Sequence, residues 1–107
     1  MIQKEFKDIV HEFDSKIADL PNVMYIFLFG SVAREEADKR SDVDFCVILN
    51  NNNKKEISKI ALDLEKKYDK NIQLVISENF SKLDNYFISK LFEEGILFYG
   101  REPLIKL

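Results

Sequence analysis

Apolar positions along this chain recur with two different spacings. From Ile2 to Leu20 they fall at Ile2, Phe6, Ile9, Val10, Phe13 and Ile17, which predicts one amphipathic helix ended by Pro21-Asn22. Val23 to Phe29 is then an almost unbroken apolar run rich in β-branched and aromatic residues, the pattern of a strand covered on both faces. A second strand opens on two carboxylates. Cys46 and Ile48 continue the face of Asp42 and Asp44, while Val43, Phe45, Val47 and Leu49 line the other. Glu56 to Tyr68 predicts a helix with Ile57, Ile60, Ala61, Leu64 and Tyr68 as its stripe, and Ile72 to Ile76 a third strand. Asn79 to Gly95 reads as one more helix, with Phe80, Leu83, Phe87, Ile88, Leu91 and Phe92 facing inward and Gly95 ending it. Ile96 to Tyr99 is a short last strand before a charged tail. The expected class is α/β: a small mixed sheet with helices packed mainly on one face.

Composition narrows the picture. At 107 residues, 46% apolar and 33% charged, residues 1–107 are expected to form a single domain with one modest core rather than a disordered chain. No apolar run approaches membrane-spanning length, and the Lys-rich N-terminus does not resemble a signal peptide. The single cysteine, Cys46, cannot form an internal disulfide, which fits a cytoplasmic protein, and reads as a small core residue. A net charge of −3 gives no general attraction to nucleic acid. His11, off the helical stripe, reads as a surface histidine. Thirteen phenylalanines and tyrosines exceed what so small a core hides, so apolar area along the C-terminal helix is expected to serve as a protein interface, with another copy or a partner.

The chemistry concentrates between Tyr25 and Leu49. Gly30 permits a sharp turn after the first strand, and Ser31 sits where a helix would start, with Glu35 and Glu36 in or near its first turn. Backbone N–H groups free at such a start, beside a hydroxyl, make a seat for phosphate; a plain serine-capped turn has the same sequence. Ten residues separate Ser31 from Asp42, and Asp44 follows two positions later on the same strand face. Two neighbouring carboxylates on an apolar strand repel, and a hard divalent cation, Mg²⁺ or Mn²⁺, relieves that repulsion. Arg34 stands near the phosphate seat, where it can neutralise a triphosphate or pair with Asp38 four residues on.

The string Gly30-Ser31, ten residues, then Asp42-x-Asp44 resembles the signature of the DNA polymerase β-type nucleotidyltransferase superfamily. GSVAR followed by SDVDF is especially similar to the minimal nucleotidyltransferases, the MNT proteins of bacteria and archaea. The resemblance implies a polymerase-β-like fold and transfer of a nucleoside monophosphate from an NTP, ATP foremost, to an acceptor hydroxyl. By it, Gly30, Ser31, Arg34 and Ser41 would bind the nucleotide, and Asp42 and Asp44 would carry the metal and the catalysis. It also implies a partner: MNT proteins commonly act as antitoxins on a HEPN protein, a helical toxin encoded nearby.

The chain departs from that pattern at one position. Related proteins carry a third carboxylate near the start of the third strand, where this sequence has Gln73. An amide can offer an oxygen to a cation but supplies no charge and cannot act as a base. The alternative is therefore a nucleotide-binding module that neutralises a partner by binding it. Other paired-aspartate or phosphate-binding classes fit less well. A P-loop needs Gly-Lys-Ser/Thr, which is absent; Phe45-Cys46 does not match a haloacid-dehalogenase nucleophile motif; and metal-dependent glycosyltransferases need a far larger chain.

Overall fold

The computed structural model describes residues 2–50 and 53–100. Helix α1 (Lys4–Ala18) leads into strand β1 (Val23–Phe29), a single turn of helix α2 (Gly30–Ala33) and strand β2 (Val43–Leu49). Helix α3 (Lys54–Tyr68), strand β3 (Ile72–Ser77), a 3₁₀ turn (Phe80–Lys82), helix α4 (Asn85–Glu94) and strand β4 (Ile96–Gly100) complete it. The sheet runs β3-β2-β1-β4, with β1 antiparallel to both β2 and β4 and β2 parallel to β3. The mixed sheet is as expected, and a parallel β2–β3 pair needs the crossover that α3 supplies.

The two long helices, α1 and α3, lie on one face. Phe6, Ile9, Phe13 and Ile17 of α1 and Ile57 and Leu64 of α3 are buried with Ile26, Leu28, Phe45 and Val47 of the sheet. Phe13 stacks on Phe45 with ring centroids 3.8 Å apart. A smaller cluster on the other face joins Tyr25, Phe27, Cys46 and Ile48 to Leu91 of α4. The alternation along β2 is as read from the sequence. On β1 a register irregularity between Val23 and Tyr25 returns Val23 to the α1 face.

Several boundaries differ from expectation, each for a local reason. The segment 79–95 is two elements: Asn79 caps the 3₁₀ turn by accepting from the Lys82 N–H, and Asp84 caps α4 by accepting from the Phe87 N–H. Short polar side chains that bond nearby backbone favour such breaks over a continuous helix. Phe92, expected inward, is 42% exposed, and Tyr86 of α4 and Leu97 of β4 are also exposed. Helix α2 ends at Ala33, so Glu35 and Glu36 fall beyond it, with Glu35 in the left-handed region at φ 60°. Asp42 lies one residue before β2 rather than within it, α1 ends at Ala18, and α3 starts two residues earlier than expected, at Lys54. The predicted charged tail lies outside the described residues. No helix among the described residues is long and apolar enough to cross a membrane.

Candidate functional site

Strand pairing brings the separated motif residues together. Phe29, the last residue of β1, pairs with Asp44, and Asp44 pairs on its other side with Gln73 of β3. Paired residues on adjacent strands share a face, so Asp44 is flanked by the Gly30 turn on one side and by the Gln73 amide on the other. Gly30 adopts φ 75°, the left-handed region open to glycine. A Cβ there would collide with Asp44 Oδ2 and lie 3.0 Å from its Cγ. The carboxylate thus occupies the space that a side chain would take.

Asp44 is half-buried, and its Oδ1 is buried without a hydrogen-bond partner. Burial, and then the negative charge of Asp42, pushes the Asp44 carboxyl up to about 6, with Arg34 acting in the opposite direction. An ionised, desolvated carboxylate with an orphaned oxygen and a second acid beside it is an arrangement that a hard cation relieves. The residues present fit a divalent metal in that respect. Among the described residues, no group of three or more His, Cys, Asp or Glu could hold a metal ion, so the donors here are two carboxylates and the neutral Gln73.

Arg34 is the C-terminal cap of α2, and its guanidinium pairs with Glu36 at 3.0 Å and Glu94 at 3.6 Å. The alternative pairing with Asp38 does not form, because α2 stops before that spacing becomes helical. Glu36 and Glu94 hold the Arg34 pKa above its ordinary value. Arg34 lines a cleft of about 390 Å³ with Phe29, Gly30, Phe87, Lys90 and Glu94. Phe87 meets Phe29 edge-on at 5.1 Å, and the Lys90 ammonium is 4.0 Å from Glu94. Sequence reading places Phe87 in the core and gives Lys90 and Glu94 no role, so all three are missed as residues of the cleft. The available signal was their helical spacing on the segment that returns beside the first strand.

Ser41 has a different surrounding. Its Oγ accepts from the Asp38 N–H at 2.9 Å, and Asp38 Oδ1 accepts from the Arg40 N–H at 2.8 Å. These bonds fix the loop that delivers Asp42. The Val43 N–H then donates to the Asn71 carbonyl at 2.8 Å, which ties that loop end to the start of β3. Ser31 is half-buried in the one-turn α2, and its carbonyl accepts from the Glu36 N–H at 2.9 Å. The arrangement therefore joins Gly30, Ser31, Asp44 and Gln73, with Asp42 and Arg34 at the margins and Ser41 one step removed.

A family model described as polymerase beta, nucleotidyltransferase, matches residues 8–104. Among curated proteins, none matches the chain. Solved structures do match. A toxin–antitoxin structure with AMP-PNP is 18% identical and covers 94% of this chain and 76% of its own, with TM-score 0.66. The tri-AMPylated Shewanella oneidensis HEPN toxin in complex with MNT antitoxin is 19% identical, covers 84% and 71%, and gives TM-score 0.55. These two likenesses concern the fold. A structure described as a minimal nucleotidyltransferase is 25% identical, covers 86% and 92%, and gives TM-score 0.64.

Proposed function

Because this chain belongs to the polymerase β-type nucleotidyltransferases, among the minimal (MNT) members, we propose that it transfers a nucleoside monophosphate from ATP to an acceptor hydroxyl on a partner protein. The observation that carries the proposal is the packing of the Asp44 carboxylate onto the Gly30 turn, with Asp42 beside it. The acceptor is proposed on a HEPN-type helical protein, in keeping with the toxin–antitoxin pairs of similar fold, and a cytoplasmic setting is proposed in keeping with the lone, unpaired Cys46. Residues 1–107 are taken as one nucleotidyltransferase domain.

The role of each residue follows from its place. The Gly30-Ser31 backbone offers its N–H groups to phosphate oxygens, while the missing side chain at Gly30 leaves room for the Asp44 carboxylate. Arg34 and Lys90, both lining the cleft beside Gly30, hold the phosphate tail as fixed positive charges. Asp42 and Asp44 would hold Mg²⁺ or Mn²⁺, which when bound neutralises phosphate charge and aligns the reacting groups. Ser41 acts through the loop that positions Asp42. Gln73 can orient the acceptor hydroxyl by hydrogen bonding, but its amide cannot take the proton from it.

That last point supports a second reading: a nucleotide-binding module that neutralises its partner by occupancy. It rests on Gln73 standing in register beside Asp44. Label transfer separates the two. The protein is incubated with α-labelled ATP, Mn²⁺ and a HEPN-type helical protein, the product of a neighbouring gene being the first to try. Transfer lost in Asp42→Ala supports the enzyme, whereas a tight complex without transfer supports the module.

A further inference from the structure

On the opposite side of β2 from the Gly30 turn, the loop before β2 and the end of α3 enclose a groove of about 400 Å³. Lys39 and Arg40 line it from the loop, and Lys66 and Lys70 from the helix end. Lys39, Arg40 and Lys66 are exposed and make no ion pair among the described residues. Of the two acids in the groove, Glu65 is already engaged, its Oε2 accepting from the Ile72 N–H at 2.7 Å. In a chain of net charge −3, this is a local excess of positive charge against the overall trend.

Its position matters as much as its charge. Ser41 and Asn71 form part of the lining, one residue before Asp42 and two before Gln73. In-line phosphoryl transfer puts the acceptor and the departing phosphates on opposite sides of the reacting phosphorus. With the departing phosphates held on the β1 side, at Gly30 and Arg34, the acceptor arrives from the β3 side, across this groove.

We propose that the groove lined by Lys39, Arg40 and Lys66 docks an acidic segment of the acceptor protein beside its acceptor hydroxyl, an inference that rests on the transfer reading above. A protein segment fits better than a nucleic acid. No aromatic ring lines the groove to stack a base. Leu62, 55% exposed at the same groove, offers an apolar contact that a peptide can use.

The test uses a fluorescein-labelled random copolymer of glutamate and tyrosine, which presents carboxylates and hydroxyls together. Its binding to the full chain with Mn²⁺ and a non-hydrolysable ATP analogue is followed by anisotropy. A lysine–tyrosine copolymer and a 12-mer oligouridylate serve as controls. The acidic copolymer is expected to bind most tightly and to weaken as salt rises. The triple variant Lys39→Gln, Arg40→Gln, Lys66→Gln should bind it at least about fivefold more weakly, with affinity for a fluorescent ATP analogue held within about twofold. Should that variant fail to fold, Lys66→Gln alone, on the exposed face of α3, should show a smaller loss in the same direction. Copolymer binding unchanged by either variant overturns the proposal, as does tighter binding of oligouridylate or of the basic copolymer. Copolymer binding that depends on these three cations, found together with no label transfer from α-labelled ATP to the partner protein in the assay above, keeps the docking groove and removes the transfer reading, so the two failures are distinguishable.

Discussion

Asp44 packs its carboxylate directly against the Cα of Gly30, so the turn after β1 and the acid on β2 share one small volume. This contact converts a spacing in the sequence into a site. It also makes Gly30 irreplaceable on two counts: the left-handed φ of 75°, and the absence of room for a methyl group.

Gly30→Ala should therefore destabilise the fold by about 1–3 kcal/mol, combining left-handed strain with displacement of Asp44. Urea denaturation should show a lower midpoint with little change in slope. Binding of an ATP analogue should fall more steeply than stability does, because the displaced carboxylate no longer faces the turn. A variant as stable and as competent in binding as the wild type would mean that the close approach is not maintained.

Without metal, ionised Asp44 costs the folded state free energy. Its carboxyl is raised from 3.8 to about 6, so the folded protein holds a proton that the unfolded chain has released between those values. The cost is complete above pH 6 and vanishes below pH 3.8. Asp44→Asn should accordingly raise stability by about 1 kcal/mol at pH 8, after discounting for the half-exposed position, and by nothing near pH 3.5. Thermal melts in EDTA read this directly. Adding Mn²⁺ should reverse the order at pH 8, stabilising the wild type alone. Equal responses to Mn²⁺ would remove Asp44 from the metal site.

Gln73 offers the complementary change. It pairs in register with Asp44, so Gln73→Asp adds a third carboxylate to the same face. Mn²⁺ affinity should rise about tenfold or more, and label transfer to the helical partner should rise with it. Nucleotide affinity at saturating metal should change little. If transfer stays at its wild-type level while metal affinity rises, the deficit lies elsewhere than in the missing base.

Much of this was legible from residue order because it depends on local rules. The stripe Phe6, Ile9, Val10, Phe13 and Ile17 gave α1, and the alternation of Val43, Phe45 and Val47 with Asp44, Cys46 and Ile48 gave the two faces of β2. The meeting of Gly30, Asp44 and Gln73 could be expected from the motif but depends on strand register, which three separate segments decide together. The break at Leu83 and Asp84 was missed because an apolar stripe continues through it, and only the side-chain caps of Asn79 and Asp84 decide against a continuous helix. Lys90 and Phe87 were invisible as site residues for a related reason. Their relevance depends on α4 folding back beside Phe29, a tertiary fact with no local signature.

The clamp between the two long helices gives the last prediction. Glu12 of α1 accepts from the Lys67 ammonium at 2.8 Å and from the Tyr68 hydroxyl, and it pairs with Lys16 at 3.3 Å. The Lys67 hydrogen bond first, and then that of Tyr68, holds the Glu12 carboxyl down at about 2, against 4.5 for the free group. A depressed carboxylate contributes stability that is complete above the unfolded value and is lost as pH falls through the folded one. The wild type should therefore melt above Glu12→Gln by a constant margin from pH 5 to pH 8, narrowing between about pH 4.5 and pH 2. High salt should shrink the margin, since the three groups are solvent-accessible. A margin that persists unchanged at pH 2 would show that glutamate and glutamine differ here through packing rather than charge.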